Sequence, residues 1–237
     1  MSKTIKVGCC GFSMAQKKYY KEFSAVEIQK TFYQPPMEKT ARRWRDDAPD
    51  NFEFSIKAWQ VVTHQPSSPT YRRMTKDIDN KKKKNYGSFK LTEEVINGWE
   101  RTSRIGEVLD AEVIVFQCPK SFKPAKENID NMNRFFSEID RKNFKLAWEP
   151  RGEWDESVIK EICSKNNLIH SVDPFKNKPL AGDIEYFRLH GIGGYKYSYT
   201  DKDFKILKDM SKNKKESYIM FNNSNRIYDA KKFKKVV

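Results

Sequence analysis

Polar side chains recur in this chain at the ends of short apolar runs, where a polar group is costly unless it is used or paired. Glu27 and Gln29 close one run, and Lys57 closes another with Thr63 and His64 just beyond it. Gln117 ends a third run, and Glu149 with Arg151 ends a fourth. Asp173 follows His170, Arg188 and His190 stand two apart, and Asn222 and Asn223 end the last run. The carboxylates and imidazoles suit acid–base work, which makes Glu27, Glu149, His64 and His190 the catalytic candidates. Lys57, Arg151 and Arg188 are cations suited to phosphate oxygens, with Gln117, Asn222 and Asn223 as amide partners. Together these types fit hydrolysis or phosphoryl chemistry on a phosphate-bearing substrate. Glu149 or Glu27 would be the general base, His190 the proton donor, and the cations would meet the developing charge.

Glu27, Glu149 and Asp173, with a histidine, are also candidate ligands for a weakly bound divalent metal. No H-x-H or H-E-x-x-H spacing supports tight zinc binding. Each residue also has a plainer reading. Glu149, Arg151 and Arg188 could be a structural ion-pair network, His190 a core histidine, and Lys57 a side chain reaching for solvent. His64 could cap a loop, and Asn222 and Asn223 could serve turn geometry.

The elements that would position these groups are eight apolar runs at 5–10, 25–28, 52–58, 112–117, 144–149, 168–172, 185–190 and 217–222. Side chains two apart on a strand share a face, so Arg188 points with His190, and Glu27 with Gln29. The stretches between the runs carry helical spacing, as in Ile129, Met132, Phe135, Phe136 and Ile139. Strand alternating with helix predicts a parallel sheet with right-handed crossovers. Eight such units in 237 residues predict a single (β/α)8 barrel over 1–237, with its chemistry at the carboxyl ends of the strands. A doubly wound open sheet is the alternative, but Gly8 to Gly11 is too short for a dinucleotide fingerprint. The connection between the third and fourth strands is unusually long and contains Gln65-Pro-Ser-Ser-Pro69 and the lysine run 81–84. That run reads as a solvated loop tip or as a nucleic-acid contact. The loop Gly191-Ile-Gly-Gly194 and the segment Asn222 to Asn225 fall in the usual phosphate-binding quarter of a barrel.

Lys+Arg of 46 against Asp+Glu of 32 gives a net charge of +14, which favours an anionic partner: nucleic acid or a phosphorylated small molecule. A lysine-coated solubilising surface explains the same charge. Tyr195, Tyr197 and Tyr199 beside Lys196 could stack bases, so a non-catalytic nucleic-acid or phosphate-binding module is the alternative to an enzyme. The four cysteines form no C-x-x-C pair, and no run approaches the roughly 18 apolar residues of a membrane span. With no apolar leader either, the expected location is cytoplasmic, away from membranes.

Several segments together make the chain recognisable. They are Val7-Gly-Cys-Cys-Gly-Phe12, Val26-Glu-Ile-Gln-Lys-Thr-Phe-Tyr33, Phe52-Glu-Phe-Ser-Ile-Lys-Ala58 with Thr63-His64, Phe116-Gln-Cys-Pro119, Trp148-Glu-Pro-Arg151 with Trp154, Phe187-Arg-Leu-His-Gly191 and Phe221-Asn-Asn223. In this order they resemble the YecE-like family, domain of unknown function 72. The resemblance implies a TIM-barrel-like fold and a cytoplasmic protein, with no established reaction. Two positions depart from the family pattern: Gln29 stands where Asn is usual, and Gly152 where a His is usual. A mechanism needing that imidazole would fail here, which turns attention to His64 and His190. Metal-dependent repair-endonuclease and sugar-isomerase barrels are analogies of fold only.

Overall fold

A computed structural model describes residues 3–75 and 78–237; Met1, Ser2, Lys76 and Asp77 lie outside the described residues. The eight expected strands are present as β1 (Thr4–Cys10), β2 (Ala25–Ile28), β3 (Glu53–Lys57), β4 (Ala111–Gln117), β5 (Lys145–Glu149), β6 (Ile169–His170), β7 (Glu185–Leu189) and β8 (Glu216–Phe221). They pair in parallel in the order β6-β5-β4-β3-β2-β1-β8-β7. A bridge between Val172 and Phe187 joins the two ends, so the sheet is a nearly closed barrel. There the Arg188 amide donates to the Val172 carbonyl at 2.8 Å.

The strands read as continuous apolar runs because both of their faces are covered. Outward side chains such as Phe54, Ile56, Phe116, Trp148, Phe187 and Phe221 join the layer beneath the helices. Inward ones such as Ala25, Val113, Val115, Ala147, Tyr186, Tyr218 and Met220 fill the barrel. Gly8 has no room for a side chain: a Cβ there would lie 2.2 Å from the Ala25 carbonyl oxygen, so its absence lets β1 approach β2.

The filling is apolar only at its waist. At the amino end of the strands, Lys6 is bonded to Glu53 and Glu216, and the Tyr218 hydroxyl donates to Glu53. Tyr186 stacks on Tyr218 with ring centroids 5.5 Å apart. The Tyr186 hydroxyl reaches Glu27 at 3.0 Å, which starts the polar layer at the opposite, carboxyl end.

Two connections depart from strict alternation. The long link from β3 to β4 holds a short helix Gln60–Thr63, 3-10 turns Pro69–Arg73 and Asn80–Asn85, and the helix Glu93–Leu109. Its lysine run is an exposed 3-10 turn in which Lys82 pairs with Glu94 at 2.8 Å. Between β6 and β7 there is no helix, contrary to the simple repeat. Pro174 and Pro179 break helical hydrogen bonding there, and irregular chain folds back on β6 instead, the His170 amide donating to the Ala181 carbonyl at 3.1 Å.

Candidate functional site

The carboxyl ends of the strands converge on one arginine. Arg188 of β7 is fully buried and grips Glu27 of β2 with two bonds of 2.8 Å, from Nε to Oε2 and from Nη2 to Oε1. Its Nη1 donates to Glu149 of β5 and, at 3.4 Å, to Gln117 of β4. Burial would push the Glu27 carboxyl up, but the Arg188 charge and hydrogen bonds overrule it and hold it low. Glu149 is opposed in the same way by burial, and the Arg188 and Arg151 charges, with Lys57, hold it down at about 2. Both carboxylates are therefore ionised at neutral pH.

The expectations for two of these residues need correction. Arg188 has its guanidinium committed to Glu27, Glu149 and Gln117, so it offers no fork to an external phosphate. Glu27 is 0% exposed behind it and cannot reach a substrate proton. The polar series foreseen at the ring is thus partly a structural plug.

Outward from that plug the polarity changes character. A cavity of about 760 Å³ opens between the ends of β5, β6 and β7, lined by Glu149, Arg151, Asp173, His170 and His190 with Lys120, Lys176 and Lys178. That volume suits a small-molecule site. Arg151 Nη2 lies 2.7 Å from His190 Nε2. A guanidinium can only donate, so in this contact Nε2 accepts and the ring N–H is at Nδ1. Nδ1 faces Asp173 Oδ2 at 3.8 Å, and the same oxygen accepts the His190 backbone N–H at 3.0 Å. Asp173 therefore anchors the His190 backbone and places a carboxylate beside Nδ1, without a hydrogen bond to the ring. Glu149 Oε1 stands 3.6 Å from Arg151 and 3.7 Å from His190.

The remaining candidates are dispersed. His64 is buried, its Nδ1 2.7 Å from the Thr63 hydroxyl, and burial with the Lys57 and Arg151 charges pushes its pKa down to about 3. It is a neutral imidazole outside the cavity lining. Asn223 is fully buried and donates to the Tyr197 carbonyl at 2.7 Å and to Asp229 at 2.5 Å, a loop-fixing role rather than a ligand contact. Asn222 is half-buried, and neither asparagine lines the cavity. The Gly191 loop is likewise turned to internal use. Its Gly191 N–H donates to the Tyr199 hydroxyl at 2.9 Å, and a Cβ at Gly191 would meet the Gly194 carbonyl oxygen at 2.1 Å. Of the three tyrosines only Tyr195 is exposed in the manner of a stacking platform; Tyr199 is in the core and Tyr197 donates to Asp203. The cavity thus lies beside the expected phosphate quarter, sharing with it only the β7 end at His190.

Metal binding finds no support in the donor set. Among the described residues no group of three or more His, Cys, Asp and Glu side chains is arranged to hold an ion. Arg188 lies between the candidate ligands Glu27 and Glu149, and Asp173 is turned to the His190 amide. Sequence reasoning also missed Lys120, Lys176 and Lys178. They follow strand ends, but in a chain with 46 Lys+Arg a lysine in a loop carries no contrast.

Lys57 is the odd member of the plug. Its ammonium donates to Gln117 Oε1 at 2.8 Å and sits 3.8 Å from the Phe32 ring centroid. Burial, helped by the Arg188 charge, drives its pKa from 10.5 to about 7. The unfolded chain therefore binds more protons than the folded one between those two values, and stability attributable to Lys57 rises with pH across that window. Lys57→Met removes this term. Its stability advantage over the parent chain is expected to shrink by about 3 kcal/mol from about pH 6 to about pH 9. Urea melts at both pH values check this, and a pH-independent difference would mean that Lys57 is not buried as a depressed cation.

An eight-stranded parallel barrel with a polar cavity at its carboxyl face is a TIM-barrel protein. The fold is shared with a xylose isomerase domain containing protein of Salmonella typhimurium LT2, at a TM-score of 0.61 and 12% identity, covering 100% of this chain and 97% of that one. The chain belongs to the family described as protein of unknown function DUF72, whose model it matches over residues 14–237. A DUF72 family protein of Enterococcus faecalis V583 superposes with a TM-score of 0.74 at 21% identity, over 99% of this chain and 97% of that one. One from Thermotoga maritima MSB8 gives 0.69 at 22%, over 98% of each. No curated protein matches the sequence. Among the described residues no helix is long and apolar enough to cross a membrane.

Proposed function

We propose that this barrel is an enzyme of phosphate-ester chemistry, hydrolysing a phosphate-bearing substrate in the cavity between β5 and β7. The observation that carries the reading is the Asp173–His190–Arg151 series, in which an arginine capable of gripping an oxyanion rests on the lone pair of an oriented imidazole. Arg151 is 36% exposed at its side chain and can move to a ligand. Lys120, Lys176 and Lys178 draw the anion to the cavity. The arriving phosphate takes Arg151 from His190, and Nε2 becomes a base for an attacking water. The water oxygen bonds to phosphorus, the ester P–O bond breaks, and the proton passes through His190 to the leaving oxygen. Glu149, ionised throughout, holds Arg151 by charge, stabilises the imidazolium that forms at His190 when the proton is taken, and itself exchanges no proton.

Binding tests the first step. Inorganic phosphate, a phosphomonoester panel and a short single-stranded oligonucleotide are titrated calorimetrically against the parent chain and Arg151→Ala. Loss of a charge-assisted fork is worth about 1.5–3 kcal/mol, so the variant should bind the phosphate probes roughly 10- to 100-fold more weakly. Equal affinity for both proteins, with binding that vanishes only with added salt, would leave nothing but diffuse attraction to lysines.

A further inference from the structure

A second cavity, of about 500 Å³, opens beside the ends of β1 and β2 and shares no lining residue with the first. Its walls include Phe12, Tyr33 and Trp44, together with Arg73 and the amides of Gln29 and Gln34. The Arg73 guanidinium carbon lies 3.6 Å from the Tyr33 ring centroid, so cation and ring form one flat, weakly hydrated surface. Gln34 Oε1 is buried and, among the described residues, has no hydrogen-bond partner. A buried acceptor left without a donor is a cost that the fold carries until a donor arrives.

We infer that this cavity binds a nucleobase. A flat ring is what Phe12, Tyr33 and Trp44 can cover while the arginine stacks on it. Gln34 lines the cavity, and a turn of its half-buried side chain brings Oε1 to an N–H on the ring edge; a nucleobase supplies ring and donor on one rigid frame. A plain hydrocarbon ring would fill the space and leave Gln34 unsatisfied, whereas a sugar would offer donors without the faces that the aromatic walls match. Gln29 Nε2 donates to Glu27, which ties the cavity wall to the Arg188 plug. Base recognition therefore happens on the same strand-end face as the proposed phosphate site, through separate residues.

The probes are adenosine and N6,N6-dimethyladenosine, which carry no phosphate. The dimethyl compound keeps the flat ring and lacks its N–H donors. Adenosine should bind saturably by calorimetry, at least tenfold more tightly than its dimethyl analogue. Gln34→Leu should erase that difference, while Tyr33→Leu and Arg73→Met each weaken adenosine at least tenfold with unchanged thermal melts. Absence of saturable binding, equal affinity for the two nucleosides, or indifference to Tyr33→Leu and Arg73→Met would each overturn the inference. Arg151→Ala should leave adenosine binding unchanged, so a failure here and a failure of the phosphate reading are told apart.

Discussion

Arg188→Ala is expected to cost about 3–5 kcal/mol at neutral pH, enough to leave much of the chain unfolded. The side chain is the cation that both Glu27 and Glu149 contact, and all three are buried. Without it, burial acts on two carboxylates opposed only by Lys57 and, for Glu149, by the half-exposed Arg151. The pH dependence should also change sign. In the parent chain the two carboxyls are held below 4.5, so their contribution is complete above that value and is lost as pH falls, for Glu149 toward about 2. In the variant the same groups are pushed above it, so acidification to about pH 5 neutralises them and recovers part of the loss. Urea denaturation of both proteins at neutral and mildly acidic pH is the measurement. Replacing the whole set together, as Glu27→Leu, Arg188→Met and Glu149→Leu, should restore folding, because apolar groups of similar volume need no partner. A stable Arg188→Ala with the parent's pH profile would mean that the plug is not what closes this end of the barrel.

The plug also marks how far the sequence could be read. The eight strands are legible because each is covered on both faces and therefore runs apolar, whatever surrounds it. The parity of Arg188 and Glu27 is legible as well, since alternation along a strand is local. What each polar group meets across the barrel is not, because that depends on strand stagger and on which ring positions share a level. Arg188 looked like a ligand-binding cation for this reason, and its pairing with Glu27 and Glu149 appears only once β2, β5 and β7 face one another. The same limit hid Asn223, whose partner Asp229 lies in the next helix, Arg226–Lys234. The missing helix after β6 is a different case. Pro174, Pro179 and Gly182 signalled a break there, and the regular alternation elsewhere drew attention away from it. Lys176 and Lys178 went unnoticed within that same segment, and they line the cavity because the chain there is irregular enough to fold back over the β6 end.

His190→Gln should lower turnover of a phosphate ester by about 10²- to 10⁴-fold while changing phosphate affinity little. The split follows from the division of labour at the cavity. In the proposed mechanism Arg151 and the lysines would supply charge, whereas His190 would supply a lone pair that becomes available only when Arg151 turns to the ligand. Glutamine fills similar space and can still meet Arg151 through its carbonyl oxygen, but it cannot carry the proton. Asp173→Asn should follow the same pattern. An amide in place of the carboxylate removes the negative charge beside Nδ1, which would otherwise stabilise the ring as it takes up a proton. Glu149→Gln should behave differently, because an ionised group that moves no proton acts through Arg151; its loss should weaken phosphate binding as well as turnover. Steady-state kinetics on whichever phosphate ester is turned over, paired with calorimetry on inorganic phosphate, separates the three. If His190→Gln and Arg151→Ala weaken binding and turnover in equal proportion, the imidazole is a ligand contact and the protein is a phosphate-binding module whose barrel performs no chemistry.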